Sequence, residues 1–235
     1  MPDDAVLDGL DPYDVMDAEA ARIDTVAGGF GKAELDRASA CAGWNVKDVV
    51  GHLAAGEEYN HACLDDALAA LFERLGAVGV TDMNSFNAHG VAQRRDQPFG
   101  AVLDEWRQAC ARTRQELRQR DGQDLPTAVG PYPVRWQAFH LASELATHAD
   151  DIGVPVPAAD AEARREWRRR FTVFVVSEIT PEVEIDLAGD GARVTYQGVA
   201  ATLSSDDLIA AANGRLPADH ALEPGLRAAL NVVGS

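Results

Sequence analysis

Two helical segments far apart in the chain constrain its fold more than any other feature, because each carries side chains that bind metal ions. The first, residues 43–52, reads Gly-Trp-Asn-Val-Lys-Asp-Val-Val-Gly-His and ends on His52; the second, residues 144–148, reads Glu-Leu-Ala-Thr-His and supplies Glu144 and His148. Four residues apart on a helix, Glu144 and His148 stack on one face and can grip one ion, while His52 would come from a second helix facing them. Three nitrogen and oxygen ligands with a vacant fourth position describe a catalytic zinc-type site, whereas structural sites usually close with four.

Each piece also has a plainer explanation. A Glu and a His at this spacing make a surface ion pair, and a single His in Val-Val-Gly-His-Leu-Ala-Ala can be a core histidine. The surroundings argue for the ion. His52 lies among Val49, Val50, Leu53, Ala54 and Ala55, and Glu144 among Phe139, Leu141, Ala142, Leu145 and Ala146. Burying an unpaired carboxylate is costly, so a Glu on an apolar face needs a cation or a strong donor.

The segment Cys-Ala-Gly-Trp-Asn-Val-Lys-Asp-Val-Val-Gly-His-Leu from Cys41, followed by Glu144-x-x-x-His148-x-x-Asp151, resembles the mycothiol-dependent maleylpyruvate isomerase family. The likeness runs over 10–157 and more weakly through the remainder. It implies a mainly α protein: a DinB-like four-helix bundle over 1–153, a linker over 154–160 and a small α+β C-terminal domain over 161–235. It also implies that His52, Glu144 and His148 bind a divalent metal, zinc first, and that mycothiol is the thiol cosubstrate. Asn87 falls in a segment that approaches the pocket in the family, with a helix-start polar residue as its plainer reading. His140, one turn before Glu144, becomes a pocket residue beside the thiol or the metal. An arginine of the C-terminal domain is needed by isomerase members; Asn213-Gly-Arg215 is the nearest match, so Arg215 is the candidate for gripping a carboxylate, a task suited to its planar fork. A surface arginine after a helix-capping glycine explains it equally well.

Composition narrows the partners. With 235 residues and 46% hydrophobic content, the chain can fill one large and one small core. A net charge of −17 opposes binding to nucleic acid or an anionic membrane. No apolar run reaches a membrane-spanning length, and Met-Pro-Asp-Asp lacks the order of a signal peptide, so the expectation is a cytoplasmic protein, monomer or homodimer, acting on a small molecule with a small thiol. Cys41, Cys63 and Cys110 are odd in number and widely spaced, which suits reduced, buried thiols. Nothing in the sequence near Cys41 marks it as an activated nucleophile, and a structural role is expected. The basic run from Arg164 to Arg170 reads by default as a solvated helix face, or else as a surface that meets the acidic first domain across an interface.

Periodicity predicts helices over 11–27, 46–75, a short one from 85, then 99–120 and 134–151, with 121–133 a Gly- and Pro-rich loop. Asn45 is an N-cap with Asp48 at the third helical position. Ala55 and Gly56 are small enough to leave room beside a metal or to let another helix cross closely. Asp151, three residues after His148, can orient that imidazole through its free ring nitrogen. Beyond the linker, a helix over 161–176 leads to strands over 183–187, 193–197 and 200–203, then helices over 206–213 and 224–232.

A thiol bound beside such a metal has its pKa lowered; moving it from about 8.5 to near 7 favours the reactive thiolate by roughly 2 kcal/mol. Family chemistry then implies cis–trans isomerisation of a maleylpyruvate-like acid or S-transfer to an electrophile. The alternatives are a metal-assisted hydrolase, with Asp151 or His140 as base, and a non-catalytic metal-binding protein. The same ligands accept nickel, iron or manganese.

Overall fold

The structure, a computed structural model, describes residues 4–233; the predicted start of the first domain at residues 1–3 and its counterpart at 234–235 lie outside them. The chain divides into two compact units, residues 11–155 and residues 4–10 with 156–233.

In the larger unit, α1 (Pro12–Ala27) starts where Asp11 accepts hydrogen bonds from the Tyr13 and Asp14 amides, with Pro12 in the first turn. Met16, Ala20, Ile23 and Ala27 bury one face. A single turn, α2 (Lys32–Leu35), leads through a loop to α3 (Val46–Leu64), where Asn45 and Asp48 close a reciprocal capping box. The single helix predicted over 46–75 is in fact two. The chain breaks at Asp66, which adopts φ +53°, and resumes as α4 (Leu68–Gly76). Periodicity missed the break because the apolar spacing continues through it, while Asp is among the few residues that tolerate a left-handed backbone.

Helix α5 (Met83–Arg94), capped by Asp82, runs antiparallel across α3: Gly90 meets Ala55 and Arg94 meets Gly51. A Cβ on Gly90 would stand 2.4 Å from the Ala55 methyl, so the helices touch backbone to side chain there. Close helix crossing, rather than room beside a metal, is what the small residue at 55 provides. Arg95 clamps the crossing with two hydrogen bonds to Asp48, and buried Arg94 reaches Glu105 and Glu58. Helix α6 (Phe99–Gln119) buries Val102, Leu103, Trp106, Cys110 and Leu117. The expected loop over 121–133 contains an antiparallel hairpin, β1 (Asp124–Thr127) with β2 (Gly130–Pro133). Pro126 and Pro131 face each other in it, which hides the strand signal because prolines read as breakers. Helix α7 (Val134–Asp151) then packs on α1, α3 and α6, so the four long helices α1, α3, α6 and α7 form the bundle.

In the smaller unit, a 3-10 turn (Asp4–Leu7) packs on α8 (Ala158–Ile179), where Arg170 donates to the carbonyls of Val6 and Asp8. The basic run is therefore not a solvated face throughout: Arg164, Trp167 and Arg168 are buried. Three antiparallel strands, β3 (Glu184–Ala188), β4 (Gly191–Tyr196) and β5 (Val199–Ser204), form a meander. Its second turn, Gln197-Gly198, has both residues at positive φ, the geometry that matches strand twist and that Gly198 adopts without strain. Helices α9 (Ser205–Ala212), capped by Ser204, and α10 (Pro224–Leu230) close the core around Val194, Leu203, Leu208, Leu226 and Leu230. The fold is mainly helical with a small C-terminal sheet, as expected. Among the described residues no helix is long and apolar enough to cross a membrane.

Candidate metal centre

Helices α3 and α7 bring His52, Glu144 and His148 together, with their ligating atoms all within 4.8 Å of one another. Glu144 Oε1 lies 2.8 Å from His52 Nε2 and 3.1 Å from His148 Nε2. The apolar positions of each helix set this convergence. On α7, Ala138, Ala142, Leu145, Ala146 and Ala149 are buried and fix the rotation that turns the stripe of Glu144 and His148 toward α3. On α3, Val46, Val49, Val50 and Leu53 do the same for His52.

Both imidazoles are buried, whereas the Glu144 side chain keeps 40% of its exposure, so the cluster opens to solvent on the carboxylate side. The two rings are held differently. His148 is anchored at Nδ1 by Asp151 Oδ2, 3.0 Å away. His52 has no such anchor: its Nδ1 is buried without a hydrogen-bond partner among the described residues, and its ring rests between Trp44, at 5.0 Å between centroids, and the edge of His148, at 4.7 Å. Loss of water opposes ionisation of Glu144, yet attraction to His148 and hydrogen bonds with His148 and His52 outweigh it and hold its pKa well below the carboxylate range. For His148, desolvation works against the charged ring, but Glu144 and the hydrogen bonds with Asp151, Cys41 and Glu144 push its pKa well above the usual imidazole value.

Two nitrogens and one oxygen converging on a site open at one side fit a divalent cation of the zinc, nickel, iron or manganese kind. Asp151 adds the outer carboxylate that directs His148 Nε2 toward the cluster.

The other predicted residues are placed as follows. His140 is on α7 one turn before Glu144, with Nε2 2.9 Å from Tyr132 Oη. Asn87 lies on α5, half buried, one turn before the crossing at Gly90. Arg215 belongs to the smaller unit, half buried after α9, and its Nη1 donates to Asn213 O. Sequence reasoning did not find three partners: Tyr132 on His140, Trp44 on His52, and Cys41, whose Sγ donates to Asp151 Oδ2 at 3.0 Å and lies 3.7 Å from His148 Nδ1. Trp44 lies within the His52 signature and Cys41 just before it, which was the signal available. All three cysteines are buried and none is in a disulfide among the described residues.

Comparison with known proteins agrees with this architecture. Over 88% of this chain and 89% of the other, the fold matches the crystal structure of the mycothiol-dependent maleylpyruvate isomerase, with TM-score 0.59 and 14% sequence identity. A histidine-to-alanine mutant of that enzyme matches over 87% and 88% of the two chains, with TM-score 0.58 and the same identity. No functionally curated protein matches the chain. Residues 16–153 match the family model of the mycothiol maleylpyruvate isomerase N-terminal domain, more than half of the sequence, and the chain belongs to that family.

Proposed function

We propose that this protein is a metal-dependent enzyme that uses a small thiol, mycothiol, either to isomerise a maleylpyruvate-like cis-enoyl diacid or to transfer the thiol sulfur to an electrophile. The observation that carries the reading is the meeting of His52, Glu144 and His148 from two helices at one solvent-open point, in a member of this family. A divalent ion held by these three residues, zinc by first choice, lowers the pKa of a thiol beside it and so supplies thiolate at neutral pH.

The chain's own residues do the rest. Asp151 keeps the proton of His148 on Nδ1, leaving Nε2 to the ligand cluster. The Glu144 side is where thiol and substrate enter, because it alone of the three keeps substantial exposure. His140, joined to Tyr132 one turn along α7, is assigned with Asn87 to contacts with the thiol, and Arg215 to the substrate carboxylate. In the isomerase form, thiolate adds across the cis double bond, the resulting single bond turns, and expulsion of the thiolate restores the double bond. In the transferase form the sulfur stays attached and the electrophile's leaving group departs. Asp151 is poorly placed as a base for the hydrolytic alternative, being buried and committed to His148 and Cys41.

The test is turnover of cis-enoyl diacids and electrophiles with and without mycothiol, beside cobalt-substituted protein titrated with mycothiol. Thiol-dependent turnover with a sulfur-to-metal absorption band is expected. Turnover of an ester or amide without any thiol, or cobalt blind to thiol, would overturn the proposal.

A further inference from the structure

Cys41, Asp151 and His148 form a second buried cluster behind the first, and its hydrogen bonds have a definite sense. An ionised carboxylate only accepts. Asp151 Oδ2 lies 3.0 Å from both Cys41 Sγ, which donates to it, and His148 Nδ1, so an ionised Asp151 accepts from both at one oxygen. All three residues are less than one-tenth exposed, which leaves water little access to replace either donor. The same loop grips α7 at two further points. Ala40 N donates to Asp151 O at 3.0 Å, and Arg37 Nη2 to Ile152 O at 2.6 Å. Within a few residues that loop turns through Trp44 into α3, the helix that carries His52.

We propose that Cys41 is a positioning residue: its thiol holds the Asp151 carboxylate against His148 Nδ1, and ties the loop that leads into α3 to the end of α7, so that His148 Nε2 is presented to the ligand cluster. In this role the sulfur acts as a hydrogen-bond donor. Its part is played through Asp151, on which it and His148 meet at one oxygen.

This inference rests on the metal reading, and the experiment keeps the two apart. Zinc affinity would be measured by chelator competition for wild type, Cys41→Val and Cys41→Ser, alongside the thermal unfolding of each metal-free protein. Valine fills the space without a donor; serine restores a donor. The expected result is a loss of roughly tenfold to a hundredfold in affinity for Cys41→Val, the range for outer partners of metal ligands, with Cys41→Ser recovering most of it. Wild-type affinity in Cys41→Val, or equal weakness in both variants, would overturn the positioning role. Wild type that takes up no metal would overturn the proposed function instead. The His148 Nδ1–H proton signal of the metal-free proteins then decides by itself: sharp in wild type and Cys41→Ser but exchange-broadened in Cys41→Val supports the role, and equal sharpness in all three contradicts it. Cys41→Ala replaces the valine variant if that one does not fold.

Discussion

Replacing Gly90 with alanine tests whether α5 crosses α3 at contact distance. The added Cβ would lie 2.4 Å from the Ala55 methyl and 3.8 Å from Ala55 Cα. Non-bonded carbons settle at about 3.5–4.0 Å, so the helices must separate by more than ~1 Å at that point. Ala55 cannot yield by rotating, because its methyl is fixed to the backbone. Overpacking of this kind costs about 1–3 kcal/mol, while alanine's better helix propensity offsets about 1 kcal/mol. The net loss is about 1 kcal/mol, or roughly 2–4 °C in melting temperature for a protein of this size. A double-mutant cycle sharpens the test: Ala55→Gly removes the opposing methyl, and the two changes together should be more stable than their separate effects predict by about 1 kcal/mol or more. Ala55 is one turn beyond His52, so zinc affinity should fall in Gly90→Ala and recover in the double variant. Urea unfolding followed by circular dichroism gives the energies. Stabilisation of about 1 kcal/mol by Gly90→Ala alone, as at an uncrowded helix site, or strict additivity in the cycle, would refute the reasoning.

Other predictions follow from buried groups and backbone. Burial raises the pKa of Glu57 above its usual 4.5, although Thr113 and Asn60 donate to it. Its favourable contribution is therefore complete below 4.5 and lost as pH rises through the folded value; Glu57→Gln should gain stability relative to wild type as pH goes from 4 to 8, and a difference that does not vary with pH would contradict this. Phe139→Ala empties a fully buried site on α7 and should cost about 3–5 kcal/mol in urea unfolding. Asp66→Gly relieves the φ +53° break between α3 and α4 and should be neutral or stabilising by up to ~1 kcal/mol, whereas Asp66→Val should destabilise. Zinc at a hundred times its dissociation constant should stabilise the metal-free protein by about 2.7 kcal/mol, and His148→Ala should abolish that shift in a thermal melt.

Much of the architecture was legible because local signals and tertiary packing agree. Asn45 marked a helix start by its capping chemistry, the apolar spacing of Met16, Ala20, Ile23 and Ala27 marked α1, and the stripe on α7 showed the face bearing Glu144 and His148. Where the signals conflicted, the reading slipped. The break at Asp66 interrupts no apolar period, and the hairpin of β1 and β2 is built around two prolines that look like loop residues. The basic run on α8 misled for a different reason: burial of Arg164, Trp167 and Arg168 is a matter of tertiary packing, which charge pattern does not encode. At the site, spacing on one helix gave Glu144, His148 and Asp151, but the partnership of Cys41 with Asp151 spans 110 residues and has no local signature. The facing of His52 toward Glu144 needed the family pattern as well as the helix period.

Metal content measured by elemental analysis on purified wild type beside His52→Ala tests the central claim most directly. His52 comes from α3 alone, so its removal should dismantle the site and leave the α7 pair behind. The account predicts about one divalent ion per chain in wild type and little or none in the variant, with both proteins equally folded. Metal-free wild type after exposure to zinc, or equal metal in wild type and variant, would contradict it.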